Sequence, residues 1–185
     1  GIEKSMDALL AAGNDVSLSI DLGIQAVMER EIKSQIDRFE AIGGAGVLID
    51  IRSGELLAVA SFPNFNPNSF SLANDDALFN RATKGVYEMG STFKVLNTAI
   101  ALETGAATID QRYEVSKPLR ISRFTITDYH PYTRPLNVPE ILVYSSNIGS
   151  ALIAEAVGPE TQRAFMQRLG LLDRLDIELP EISQP

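Results

Sequence analysis

The stretch Tyr87-Glu88-Met89-Gly90-Ser91-Thr92-Phe93-Lys94 sets a hydroxyl and an amine three residues apart at what reads as a helix start. Gly90 marks the turn into that helix. The following run, Phe93, Val95, Leu96, Ala99, Ile100 and Leu102, is apolar nearly all round, which predicts a helix buried at the centre of the molecule and ending near Glu103 before Gly105. Residues i and i+3 share one helix face, so Ser91 Oγ and Lys94 Nζ are expected within hydrogen-bonding reach of each other. A serine hydroxyl is a poor nucleophile until a base takes its proton, and an ammonium cannot be that base. Lys94 therefore needs a lowered pKa, which burial and the positive end of a helix dipole both favour. The same dipole would stabilise negative charge developing on Ser91 and on a carbonyl oxygen that it attacks. A capped helix with a surface lysine would carry the same spacing, but the apolar neighbours of Lys94 argue against a purely solvent-facing side chain.

Working outward toward the N-terminus, Met6 to Ala12 reads as a short amphipathic helix closed by Gly13-Asn14-Asp15. Asp21 can cap a long helix through about Ala41, with Ile24, Met28, Ile32, Ile36 and Phe39 on one face. Gly43-Gly44 breaks it, and Ala45 to Ile51 and Glu55 to Ser61 then read as an antiparallel hairpin turning through Arg52-Ser53-Gly54 and lying on that helix. Pro63 to Asn68 has turn composition, and Ala77 to Ala82 is helical.

Toward the C-terminus, Leu119 to Thr127 suggests short extended segments. Asn137 can cap a short helix with Pro139 in its first turn, running from Glu140 to about Tyr144. Ser145-Ser146-Asn147 interrupts it. A helix follows through Ile148, Ala151, Leu152, Ala154 and Ala156, stopped by Gly158-Pro159, and another runs from Glu160 to Leu169 before Gly170. No internal repeat or low-complexity tract occurs.

Composition narrows the chemistry. At 185 residues with a formal net charge of -8, the chain can bury a substantial core and has no basic run to bind a phosphate backbone, so no nucleic-acid partner is expected. The absence of cysteine removes disulfides and thiol nucleophiles. With His130 as the sole histidine, a Ser-His-Asp triad would have to use that residue beside Asp128 in a loop rich in Pro and Tyr, and a surface-loop histidine is the plainer reading. No apolar segment approaches the length of a membrane span, and Gly1 opens nothing like a signal peptide, so the chain as it stands reads as soluble.

In Ser145-Ser146-Asn147, Ser145 offers a second hydroxyl and Asn147 an amide that can donate and accept, suited to relaying a proton and holding a peptide carbonyl. The same residues also suit ordinary capping at a helix joint. Ser-x-x-Lys and Ser-x-Asn together are more specific than either alone.

This pair resembles the penicillin-recognising serine acyltransferases, whose set also includes Lys-Thr-Gly. The wider match is to class B penicillin-binding proteins of the cell-division type. It rests on Gly1-Ile2-Glu3-Lys4-Ser5, Ser19-Ile20-Asp21 with Gln25, Asp50 with Ser53-Gly54-Glu55-Leu56-Leu57-Ala58, Asn80-Arg81-Ala82, Gly90-Ser91-Thr92-Phe93-Lys94 and Ser145-Ser146-Asn147-Ile148-Gly149. The resemblance implies an α+β, serine β-lactamase-like transpeptidase fold. It makes residues 1–16 the end of a pedestal and 17–185 a partial transpeptidase domain. It implies Ser91 as acylated nucleophile, Lys94 as its base, Ser145 as proton relay toward the leaving amine and Asn147 as a ligand of the substrate backbone. It further implies D-Ala-D-Ala stem peptides as substrate, β-lactams as inhibitors, cell-division proteins as partners, the periplasmic face of the bacterial inner membrane as location, and no metal or organic cofactor.

Two departures stand out: Met89 replaces a proline common among relatives, and no Lys-(Ser/Thr)-Gly follows Asn147. The chain is therefore expected to carry the helical lobe and first hairpin without the later sheet strands, to be nearly inactive alone, and to self-associate through the open hairpin edge. In such a half-built site Lys94 would be better solvated, with a pKa nearer its ordinary value than in a complete enzyme. A serine β-lactamase, or a non-catalytic interaction or sensor module on the same scaffold, are the alternatives.

Overall fold

The computed structural model describes residues 1–179, 181 and 182. They divide into two compact units, one made of Gly1–Val86 with the described residues from Arg174 onward, the other of Tyr87–Asp173.

The first unit is built on a hairpin, β1 (Gly44–Ile49) and β2 (Leu56–Phe62), paired antiparallel from Gly44 opposite Phe62 to Ile49 opposite Leu56. Asp50 organises its turn by accepting from the Arg52 amide at 2.8 Å. Helix α3 (Leu22–Phe39) lies on this hairpin, capped by the Asp21 carboxylate, which accepts from Ile24 N. Gln25 anchors it by donating to Val59 O and accepting from Val59 N, each at 2.9 Å. A Cβ on Gly46 would stand 2.8 Å from Ile32 Cδ1, so glycine is what allows this close approach. Ile24, Met28, Ile32 and Ile36 are half-buried as their spacing predicts, but Phe39 is exposed. The helix stops at Glu40 in the left-handed region (φ 51°), before the glycine pair that the sequence suggested as its breaker.

Short elements complete this unit. Helices α1 (Ile2–Ser5) and α2 (Asp7–Ala11) precede the left-handed Gly13, and a 3₁₀ helix (Pro67–Leu72) starts inside the expected loop because Asn66 caps it. The single helix expected at Ala77 to Ala82 is two, α4 (Asp75–Leu78) and α5 (Arg81–Lys84). The extended Phe79 and the capping side chain of Asn80 start the second afresh.

The second unit holds the larger buried cluster: Ile100, Ala101, Ala107, Tyr113, Val115, Leu136, Val138, Ile141, Ile148, Ile153 and Val157. A 3₁₀ turn (Gly90–Thr92) leads into α6 (Phe93–Glu103). Strand β3 (Arg112–Tyr113) pairs with β6 (Leu136–Asn137), an unforeseen ladder, and β4 (Leu119–Ile121) with β5 (Phe124–Ile126) makes the extended pair the pattern suggested. Helices α7 (Val138–Val143), α8 (Asn147–Val157) and α9 (Pro159–Arg168) follow. Asn137 and Glu140 form a reciprocal capping box on α7. Helix α6 packs mainly on α8, and of its residues only Thr98, Ile100 and Ala101 are buried. Phe93, Val95 and Leu102 are 40%, 56% and 38% exposed, so the helix is not enclosed all round as its composition suggested; one stripe meets the core and the rest lies open. Among the described residues no helix is long and apolar enough to cross a membrane.

Candidate active site

Ser91, Lys94, Ser145 and Asn147 meet in the second unit. Ser91 sits on the exposed 3₁₀ turn, where Gly90 supplies the left-handed conformation (φ 54°) that swings the chain into α6. One turn on, Lys94 reaches from α6 to the joint between α7 and α8. Its Nζ donates to Ser145 O at 2.6 Å, Ser145 Oγ at 2.9 Å and Asn147 Oδ1 at 2.7 Å. These three acceptors equal in number the donors that an ammonium offers. None of them is Ser91. The direct Ser91–Lys94 hydrogen bond expected from i,i+3 spacing is absent among the described residues, because Ser91 lies in the 3₁₀ turn, before α6 begins. Ser145 stands between them, its Oγ 3.0 Å from Ser91 Oγ.

The joint holds Ser145 in a costly conformation. Its φ is 55°, a region usually taken by glycine. Ser146 N donates to Ile141 O at 2.9 Å and Ser145 N to Leu142 O at 3.2 Å. These are the two bonds of a Schellman helix ending, with serine where glycine is the common choice. A non-glycine residue there costs of order 1–3 kcal/mol, and here it aims the hydroxyl between Lys94 and Ser91.

Around the joint, buried Ser146 caps α8 by accepting from Gly149 N at 2.9 Å. Ser146 Oγ also donates to Asp128 Oδ2 at 2.7 Å, and Asp128 Oδ1 accepts from Asn147 N and, at 3.0 Å, from Ile148 N. Asn147 Nδ2 donates to Thr127 O at 2.9 Å. Burial holds the half-buried Lys94 below its ordinary pKa, and attraction from Asp128 opposes that shift in part. Desolvation is the larger effect, so the direction is that required of a base. His130 is exposed and packs edge-on against Tyr129, while the Asp128 carboxylate faces Ser146 and α8, so no Ser-His-Asp triad forms among the described residues.

A hydroxyl relayed through a second hydroxyl to a lysine of lowered pKa is an arrangement for acyl transfer to serine. The penicillin-binding protein transpeptidase domain matches residues 44–184. The chain belongs to this transpeptidase family. It is 37% identical over its whole length to a probable peptidoglycan D,D-transpeptidase FtsI of Caulobacter vibrioides, covering 32% of that protein. It is 33% identical over 86% of its length to the peptidoglycan D,D-transpeptidase FtsI of Escherichia coli, covering 27% of it. Among solved structures, penicillin-binding protein 3 of Mycobacterium tuberculosis is similar with a TM-score of 0.82 and 26% identity, over 90% of this chain and 38% of that one. The chain thus spans about a third or less of these two curated relatives, and the fold is that part of the penicillin-binding transpeptidase architecture.

In this transpeptidase-family chain the four residues singled out in the sequence are brought together, and three others around them were not foreseen. Ser146 is visible in retrospect as a serine three residues before Gly149 at a helix start. Thr127 and Asp128 both lie in the loop after β5, and no short-range pattern joins them to the joint.

Proposed function

We propose that the chain carries the acylation centre of a peptidoglycan D,D-transpeptidase working in septal cell-wall synthesis at the periplasmic face of the inner membrane. Residues 17–185 would belong to its catalytic domain and 1–16 to the end of a pedestal. The observation that carries this reading is the relay from Ser91 Oγ through Ser145 Oγ to Lys94 Nζ, with steps of 3.0 and 2.9 Å.

With Lys94 neutral, Ser145 passes its proton to Nζ while taking the proton of Ser91, and Ser91 Oγ attacks the carbonyl between the two terminal D-alanines of a stem peptide. When the tetrahedral adduct collapses, the leaving D-alanine amine takes a proton back from Lys94 through Ser145, and the acyl group stays on Ser91. A second stem's amine then displaces it by the reverse path. Asn147, its Oδ1 turned to Lys94 and its Nδ2 to Thr127, fixes the ammonium and borders the place of the substrate backbone. A β-lactam amide would enter the same path, leaving its opened ring on Ser91.

Fluorescent penicillin applied to the full-length protein containing this chain, followed by peptide mapping, should place one adduct on Ser91, lost in Ser91→Ala. Mapping of the adduct elsewhere, or no adduct, refutes the reading. Rapid nitrocefin turnover would assign the site to a β-lactamase.

A further inference from the structure

We propose that Asp128 is a positioning residue for acylation, gripping the start of α8 so that Asn147 and Ser145 hold Lys94 in line with Ser91. This role rests on the acylation reading above.

Three donors converge on the one carboxylate: the Ser146 hydroxyl on Oδ2, and the Asn147 and Ile148 amides on Oδ1. The two amides are among those a helix start leaves without an intrahelical partner, and the positive end of α8 favours an anion there. The neighbouring Thr127 carbonyl takes the Asn147 side-chain N–H. Residues 127 and 128 thus hold Asn147 by both main chain and side chain. An amide can otherwise turn end for end; here only its oxygen can face Lys94, where it accepts at 2.7 Å. Asp128 also fixes Ser146, whose backbone amide closes the helix ending that keeps Ser145 in its left-handed conformation.

The carboxylate carries charge as well as geometry. Around Lys94, the 3₁₀ turn contributes the Ser91 hydroxyl and the α7–α8 joint contributes Ser145 and Asn147, all neutral. The loop after β5 contributes Asp128, the charged group acting on Lys94 among the described residues. Its attraction favours the ammonium and opposes desolvation, so Asp128 helps set the pH at which the lysine becomes a base.

The test measures the rate constant for acylation by fluorescent penicillin against pH, in the full-length protein and its Asp128→Asn and Asp128→Ala variants. Asparagine keeps an oxygen for the two α8 amides but removes the charge, so the acid limb should move to lower pH while most of the plateau survives. Alanine removes the grip as well, and the plateau should fall on the order of 10²-fold, as misplacement of reacting groups does. An acid limb of Asp128→Asn that coincides with wild type overturns the proposal, as does an undiminished plateau in a folded Asp128→Ala. If Asp128→Ala does not fold, the Asp128→Asn limb alone decides. A wild-type protein that takes no adduct on Ser91 overturns the acylation reading instead, so the two failures are distinguishable.

Discussion

The two serine-bearing turns of the site are built differently. Ser91 lies on a single 3₁₀ turn with no side-chain cap, flanked by the exposed Met89 and Phe93, and its side chain meets the rest of the site through one hydroxyl contact. Ser145 lies at a joint fixed by two backbone bonds of a helix ending, the buried cap Ser146, and the Thr127-Asp128 grip on Asn147. Under the proposed function, the nucleophile is presented on an accessible turn, while the precision of the site resides in the motif proposed to relay its proton. On the proposed acylation reading, this division leaves the attacking atom reachable and the proton path preorganised.

That asymmetry can be broken from the rigid side. A Cβ added at Gly149 would fall 2.5 Å from Ile141 Cγ1 and 2.7 Å from its Cδ1, and Ile141 is fully buried beneath the joint. Gly149→Ala should therefore cost about 1–3 kcal/mol, as overpacking does, in urea unfolding monitored by circular dichroism. A cost near zero would mean that the joint is more yielding than its contacts imply.

A smaller effect sharpens the same contrast through α7, whose C-terminal end forms the joint. The Glu140 carboxyl is pushed down to about 2, first by the Arg134 guanidinium, which donates at 2.7 and 3.0 Å, and then by the Asn137 amide of the capping box. Because the folded pKa lies below the unfolded one, the stabilisation is complete above the usual glutamate range and is lost as pH falls toward about 2. Glu140→Gln should flatten this acid-side loss, measured as urea midpoints across a pH series. An unchanged slope in the variant would remove Glu140 from the support of the joint.

Much of this was legible in the sequence because the determinants are local. Asp21, Asn137 and Gly158 stand at the ends of the elements they delimit, and the two motifs were found by residue type and spacing. What escaped is non-local or conformational. Asp128 lies 18 residues before Ser146, and only the fold brings its carboxylate to α8. The pairing of β3 with β6 involves two residues on each side, too few for a periodic signal. The left-handed Ser145 is hidden because serine carries no sign of positive φ, and it is that conformation which inserts Ser145 between the two residues the i,i+3 rule would pair. The exposed face of α6 and the exposed Phe39 show the limit of reading burial from apolarity alone.

The central claim is that Ser91 and Lys94 communicate through the Ser145 hydroxyl. Ser145→Gly tests it most directly, since glycine removes the hydroxyl while suiting the left-handed backbone, so that lost activity cannot be assigned to a lost fold. The measurement is the rate constant for penicillin acylation of Ser91 in the full-length protein. The account predicts a fall of roughly 10²- to 10⁴-fold, the usual range for removing a proton-transfer group, in a protein at least as stable as wild type. Acylation at the wild-type rate would contradict it and return the proton path to a direct transfer from Ser91 to Lys94.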